Sequence, residues 1–216
     1  MPFVLVNHKM VQARIVPGQR VFSQRGAMLA YTGEVGFTPN VLGGQGGVMS
    51  MIGRRVAGED TPLMTVEGDG SVLFGHGGHH VHVIDLNGEV LYVEADRLLA
   101  FEGSLQQSTM FMGSQGGVMG IVRGQVTGQG LFTTQLTGKG SVAVMAHGGV
   151  IELPITPGQP VHVDPQAYVA HRGDVHNKLS SALGWRDMIG RGSGEAFQLE
   201  LSGHGVVYVQ ASEEKL

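Results

Sequence analysis

A chain of 216 residues with 14 basic against 18 acidic side chains and a net charge of −4 has no basic excess to set against phosphates, which argues against a nucleic-acid binder. It holds no cysteine, so disulfide frameworks, thiolate metal sites and cysteine nucleophiles are excluded, in keeping with a reducing cytoplasm. Its 36 glycines lack the every-third-residue period of collagen and fit many tight turns between short strands.

The chain opens on Met1-Pro2-Phe3-Val4-Leu5-Val6, which has neither the basic segment nor the long apolar run of a secretion signal. No apolar run approaches the roughly 18 residues that span a bilayer. The expectation is a soluble, cytoplasmic protein, with a peripheral membrane surface as the alternative location.

A turn at Pro17-Gly18 precedes Val21, and Gly26 leads into Ala30-Tyr31. A Gly- and Met-rich stretch follows, Gly43-Gly44-Gln45-Gly46-Gly47-Val48-Met49, with Met51 and Arg54 just beyond. Met64, Thr65 and Val66 then alternate apolar and polar, the period of a half-buried strand. Gly68-x-Gly70 reads as a chain reversal, a hairpin turn before Val72-Leu73-Phe74.

The same series then recurs. Asn87-Gly88, Leu91, Ala100-Phe101, Gly113-Ser114-Gln115-Gly116-Gly117-Val118-Met119, Arg123, Leu136 and Gly138-x-Gly140 repeat it 70 residues on. Pro157-Gly158, Val161, Ala170-His171, Met188-Ile189-Gly190-Arg191, Leu201 and Gly203-x-Gly205 give a third, shortened copy. Self-similarity at a fixed period signals a repeat architecture. The reading is all-β, with one short helical candidate at 181–189. One body holds three repeats: 1–75, 76–146 and 147–216. Units this small are marginal alone.

The run Gly26-Ala27-Met28-Leu29-Ala30-Tyr31, then Gly58-Glu59, Gly68-Asp69-Gly70, Gly194-Glu195-Ala196-Phe197 and Gly203-His204-Gly205-Val206-Val207 resembles bacterial relatives of the altered-inheritance-of-mitochondria proteins, member twenty-four. The resemblance covers nearly the whole chain and rests on glycines and apolar residues. It implies a fold like the tryptophan RNA-binding attenuator subunit. That fold is a β-sandwich akin to a shortened double-stranded β-helix, here with three units about a pseudo-threefold axis. It implies no established enzymatic activity. The attenuator's basic RNA-binding triplet has no match in this chain, so neither RNA nor tryptophan binding is carried over.

Several constellations could carry chemistry. His76, His79, His80 and His82 fall within seven residues, and neutral imidazoles bind Zn, Ni or Cu. His80 and His82, two apart on a strand, share a face. Seventy residues on, Val150 and Glu152 stand in their places, so the pair is not built threefold. Gly138-Lys139-Gly140-Ser141 lacks the spacing of a phosphate loop. Asp85, Glu94 and Glu152 read as solvent-facing residues of strands. Arg54, Arg123 and Arg191 hold similar places in the three units; converging guanidinium groups would hold carboxylate or phosphate.

The functional expectation is a non-enzymatic binding or scaffold protein without a cofactor. Met49, Met51 and Met119, with the three arginines, would face a protein partner, a second copy or a membrane surface, methionine being an adaptable apolar side chain. The alternative is a cupin-like metal-dependent enzyme, or a small-ligand binder, using the His76–His82 cluster with His80 and His82 as ligands.

Overall fold

The computed structural model describes residues 3–39, 63–111, 132–181 and 197–213. The described elements are β1 (Phe3–Asn7), β2 (Met10–Ile15), β3 (Val21–Gln24), β4 (Met28–Pro39), β5 (Leu63–Phe74), β6 (His80–Glu94), β7 (Leu98–Glu102), β8 (Gln106–Phe111), β9 (Phe132–Ala146), β10 (Val150–Ile155), β11 (Val161–Val163), β12 (Tyr168–Ser181) and β13 (Phe197–Gln210), with a 3-10 turn at Ala95–Arg97. No described helix is long and apolar enough to cross a membrane. Residues 182–189 of the helical candidate lie outside the described residues, and its first residue, Ser181, ends β12.

Alternation makes these strands. In β2, Val11, Ala13 and Ile15 are buried while Gln12 and Arg14 are exposed. All pairings are antiparallel, and the sheet runs β1-β2-β5-β3-β7-β9-β6-β12-β13-β10, with β4 beside β5, β8 beside β9 and β11 beside β13. Residues that the repeat matches make matching pairs: Val21 pairs with Val66, Leu91 with Leu136 and Val161 with Leu201. Register shifts fall between Met28 and Ala30, between Leu98 and Ala100, and between Tyr168 and Ala170. Each alanine that follows such a shift pairs onto β5, β9 or β13.

The paired-glycine positions correct the sequence reading. They are not hairpin turns; β5, β9 and β13 run straight through them. Gly68, Gly138 and Gly203 have φ of 131°, 121° and 117°, a left-handed conformation that bends a strand without reversing it. The bend lets one strand serve two partners. Leu63–Val66 pairs with β3 and Gly70–Phe74 with β2. Leu199–Leu201 pairs with β11 and Gly205–Gln210 with β10. Gly18 and Gly158 do lie in turns, between β2 and β3 and between β10 and β11. Asn87-Gly88 lies instead inside β6, at a register irregularity.

Three apolar clusters form the core, and two of them cross the expected unit boundaries. Val11, Ile15, Val66 and Phe74 pack with Leu99, Ala143 and Met145. Leu91, Phe101 and Leu136 pack with Leu63 on one side and with Val169, Ala170 and Tyr208 on the other. Ile155, Tyr168, Leu199 and Val207 belong to the third cluster. Shared cores make adjacent segments stabilise one another, since each buried large apolar side chain contributes about 1.5–3 kcal/mol.

Candidate functional site

The two histidines singled out as metal ligands sit near the start of β6, with Val81 buried between them. Their neighbours differ. The His80 ring lies 6.3 Å from that of His8, at the β1–β2 turn. His82 lies beside Tyr208 of β13, with Nε2 3.6 Å from Glu152 Oε1 on β10. That separation is too long for a hydrogen bond. Burial pushes the His82 pKa down, and Glu152 partly opposes it. His79 meets His147 edge to face at 4.5 Å. Its pKa is also lowered, by burial first and then by His147 and His76. Among the described residues no group of three or more His, Asp or Glu is arranged to hold a metal ion.

Arg54, Arg123, Arg191, Met49, Met51 and Met119 all lie outside the described residues. The strands that bracket them are described. Residues 40–62 are flanked by the Pro39–Met64 pair of β4 and β5. Residues 112–131 are flanked by the Phe111–Phe132 pair of β8 and β9. Residues 182–196 are flanked by the Ser181–Phe197 pair of β12 and β13. Each Gly/Met-rich segment thus joins the two strands of one hairpin.

A groove of about 370 Å³ lies where the β2–β3 turn meets the end of β7, lined by Arg14, Gln19, Arg20, Glu102 and Ser104 among others. Its arginines are already paired, Arg14 with Asp69 at 2.6 Å and Arg20 with Glu67 at 2.7 Å. Exposed pairs of this kind add at most about 1 kcal/mol, but they leave the groove without a free cation for an anionic ligand.

Sequence reasoning missed two buried polar constellations. The first is centred on Arg97, which is fully buried. Its Nε donates to Glu94 Oε2 at 2.5 Å, one terminal nitrogen donates to the Gln166 carbonyl at 2.9 Å and the other to the Gln210 side-chain oxygen. Glu94 is therefore buried, correcting its reading as solvent-facing; Asp85 and Glu152 are exposed as expected. The 70-residue spacing carried the missed signal: the positions matching Arg97 hold Ala27 and Ala167.

The second is His171, buried where β12 meets β6 and stacked on Tyr92 at 4.8 Å and 19°. The Tyr168 hydroxyl is 2.7 Å from His171 Nδ1 and 3.2 Å from the Tyr92 carbonyl, while Nε2 has no hydrogen-bond partner. A neutral ring with its proton on Nδ1 satisfies these groups: Nδ1–H donates to Tyr168, and Tyr168 donates to Tyr92. Burial pushes the His171 pKa down to about 4. Below about pH 6.5 the unfolded chain takes up a proton that the folded chain refuses until about pH 4. The His171 contribution is therefore intact above pH 6.5 and lost as pH falls through that window, by at most about 3 kcal/mol. Thermal melts from pH 7 to pH 4 are expected to show this loss, and His171→Phe to flatten it. An unchanged slope in the variant would exclude His171 as the source.

These features describe an all-β protein of paired hairpins with buried polar links between them. The family model described as "Mitochondrial biogenesis AIM24" matches residues 3–212, and the chain belongs to that family. It is also similar to the crystal structure of a protein from Streptococcus pyogenes, with a TM-score of 0.72 and 21% identity over 97% of this chain and 92% of that one. At that identity the likeness is one of fold. No curated protein matches the chain.

Proposed function

We propose that this chain is a non-enzymatic binding or scaffold protein without a cofactor, with a role of the mitochondrial-biogenesis type that its family carries. Its body is three β-sandwich units, 1–75, 76–146 and 147–216. The single observation that carries the reading is the position of the Gly/Met-rich segments. All three are bracketed by hairpin strands at equivalent places, β4–β5, β8–β9 and β12–β13. A rigid frame offering three similar segments suits an adaptable surface, with methionine for apolar contact and arginine for acidic groups.

The unit reading is supported by the matched pairings and by the register shifts before Ala30, Ala100 and Ala170. An axis relating the three units is part of this proposal, but one that closes within a single chain would need β11 to lie on β4. No described pairing joins those two strands, and the units are proposed to follow one another in an open series. The partner surface comprises Met49, Met51, Arg54, Met119, Arg123 and Arg191, facing a protein in the cytoplasm or at a membrane face. The metal-enzyme alternative has His80 and His82 on one strand, but among the described residues no group of three His, Asp or Glu is arranged to hold an ion with them.

Purification of the tagged chain from its own cells tests the reading. Replacing residues 43–52 by a Gly-Ser linker is expected to remove the main co-purifying protein while the thermal melt stays in place. An unchanged set of co-purifying proteins would overturn it.

A further inference from the structure

Among the described strands, β1, β4, β8, β10 and β11 each use one edge. β4 pairs with β5 alone and β11 with β13 alone. Their counterparts at the 70-residue spacing use both. β7 lies between β9 and β3. The start of β12 lies between β13 and β6.

The two internal junctions have one register. In the first, Val21 faces Glu102, Phe22 faces Phe101 and Ser23 faces Ala100. In the second, Leu91 faces Arg172, Tyr92 faces His171 and Val93 faces Ala170. Each centres on a pair of rings, Phe22 on Phe101 at 5.1 Å and Tyr92 on His171 at 4.8 Å. One more step places Val161 opposite Thr32, His162 opposite Tyr31 and Val163 opposite Ala30. Both central residues again carry rings, and both are exposed.

Burial shows the same gap. Leu98, Leu99, Ala100 and Phe101 are buried, as are Tyr168, Val169, Ala170 and His171. Their counterparts Met28, Leu29 and Tyr31 are 41%, 51% and 49% exposed. An unpaired strand edge invites another chain unless lysine, proline or a covering element blunts it. β4 is 12 residues long, contains no lysine, and has its one proline at its end.

We propose that β11 of one copy of this chain seats on β4 of a second copy, in the register of the two internal junctions, with His162 stacked on Tyr31. The inference rests on the three-unit reading but not on the Gly/Met segments. The interface uses different patches on the two partners, so copies join head to tail and form a ring where the rotation closes.

Light scattering on the purified full chain tests this. The wild type is expected at a multiple of 22.8 kDa. His162→Glu and Tyr31→Arg each spoil one side of the junction and are expected to run as single chains with unchanged circular dichroism. Mixing the two variants restores assembly, because one junction is then wild type and the next an acid–base pair. An unfolded variant could not be rescued in this way. A wild type that stays at 22.8 kDa, a variant that keeps the wild-type mass, or a mixture that fails to recover would each overturn the proposal. Replacing residues 43–52 is expected to leave the mass unchanged, which separates this test from that of the binding role.

Discussion

Replacing Arg97 with alanine is expected to lower the free energy of unfolding by about 3–5 kcal/mol, the cost of stranding one partner of a buried ion pair. The measurement is a urea titration, in which the midpoint falls and the slope holds. Arg97 is fully buried and donates to Glu94, Gln166 and Gln210. It therefore ties the 3-10 turn after β6 to the loop before β12 and to the end of β13. Gln210 extends the link, accepting from the His147 backbone and donating to the carbonyls of Gln166 and Ser212. Without the guanidinium, the buried Glu94 carboxylate keeps its desolvation cost and loses the charge and hydrogen bond that Arg97 supplies. The double variant Glu94→Gln with Arg97→Ala is expected to recover part of the loss, because no charge is then stranded. A single variant within about 1 kcal/mol of wild type would mean that the network contributes little, as some buried pairs do against well-packed replacements.

The Arg97 network also shows where the sequence was legible. Alternation places Val66, Leu136 and Leu201 in the core, and all are buried. The repeat spacing matches Val21 to Leu91 and Val161, and these three pair with Val66, Leu136 and Leu201, which the repeat also matches to one another. Glu94 was misread because period two describes only a strand's own two faces. It says nothing of an arginine supplied by the next turn, or of a neighbouring segment that covers both. The ring pair at Tyr92 and His171 was hidden for the same reason, since it forms between strands far apart in the chain. The His80–His82 pair was legible as a motif, but its neighbours His8, Glu152 and Tyr208 come from three other places in the chain.

The glycine bends were misread on different grounds, and they support the second large prediction. Gly-x-Gly between alternating stretches fits a hairpin turn and a bent strand equally well; the difference lies in the partner strand. Gly70 faces Gly33 across β4 and β5, and Gly205 faces Gly173 across β12 and β13. A Cβ on Gly70 would collide with the Thr32 carbonyl oxygen and come within 2.6 Å of Val35 Cγ2. A Cβ on Gly205 would collide with the Arg172 carbonyl oxygen and come within 2.7 Å of Val175 Cγ2. Those carbonyls belong to the paired strands, so they cannot yield without breaking the hairpin register. Gly70→Ala and Gly205→Ala are each expected to cost about 3 kcal/mol or more, at or above the top of the overpacking range. The matching position in the middle copy gives an internal scale. A Cβ on Gly140 first meets Ser104 Oγ at 2.8 Å, the end of a side chain that can rotate away. Gly140→Ala is therefore expected to cost less than either. Gly18 has φ of 83° and open space around it, so Gly18→Ala should show only the left-handed backbone penalty of about 1–2 kcal/mol. Denaturation of the four variants under one condition gives the order. If Gly70→Ala proved no more damaging than Gly18→Ala, close approach of the paired strand would not be what Gly70 accommodates.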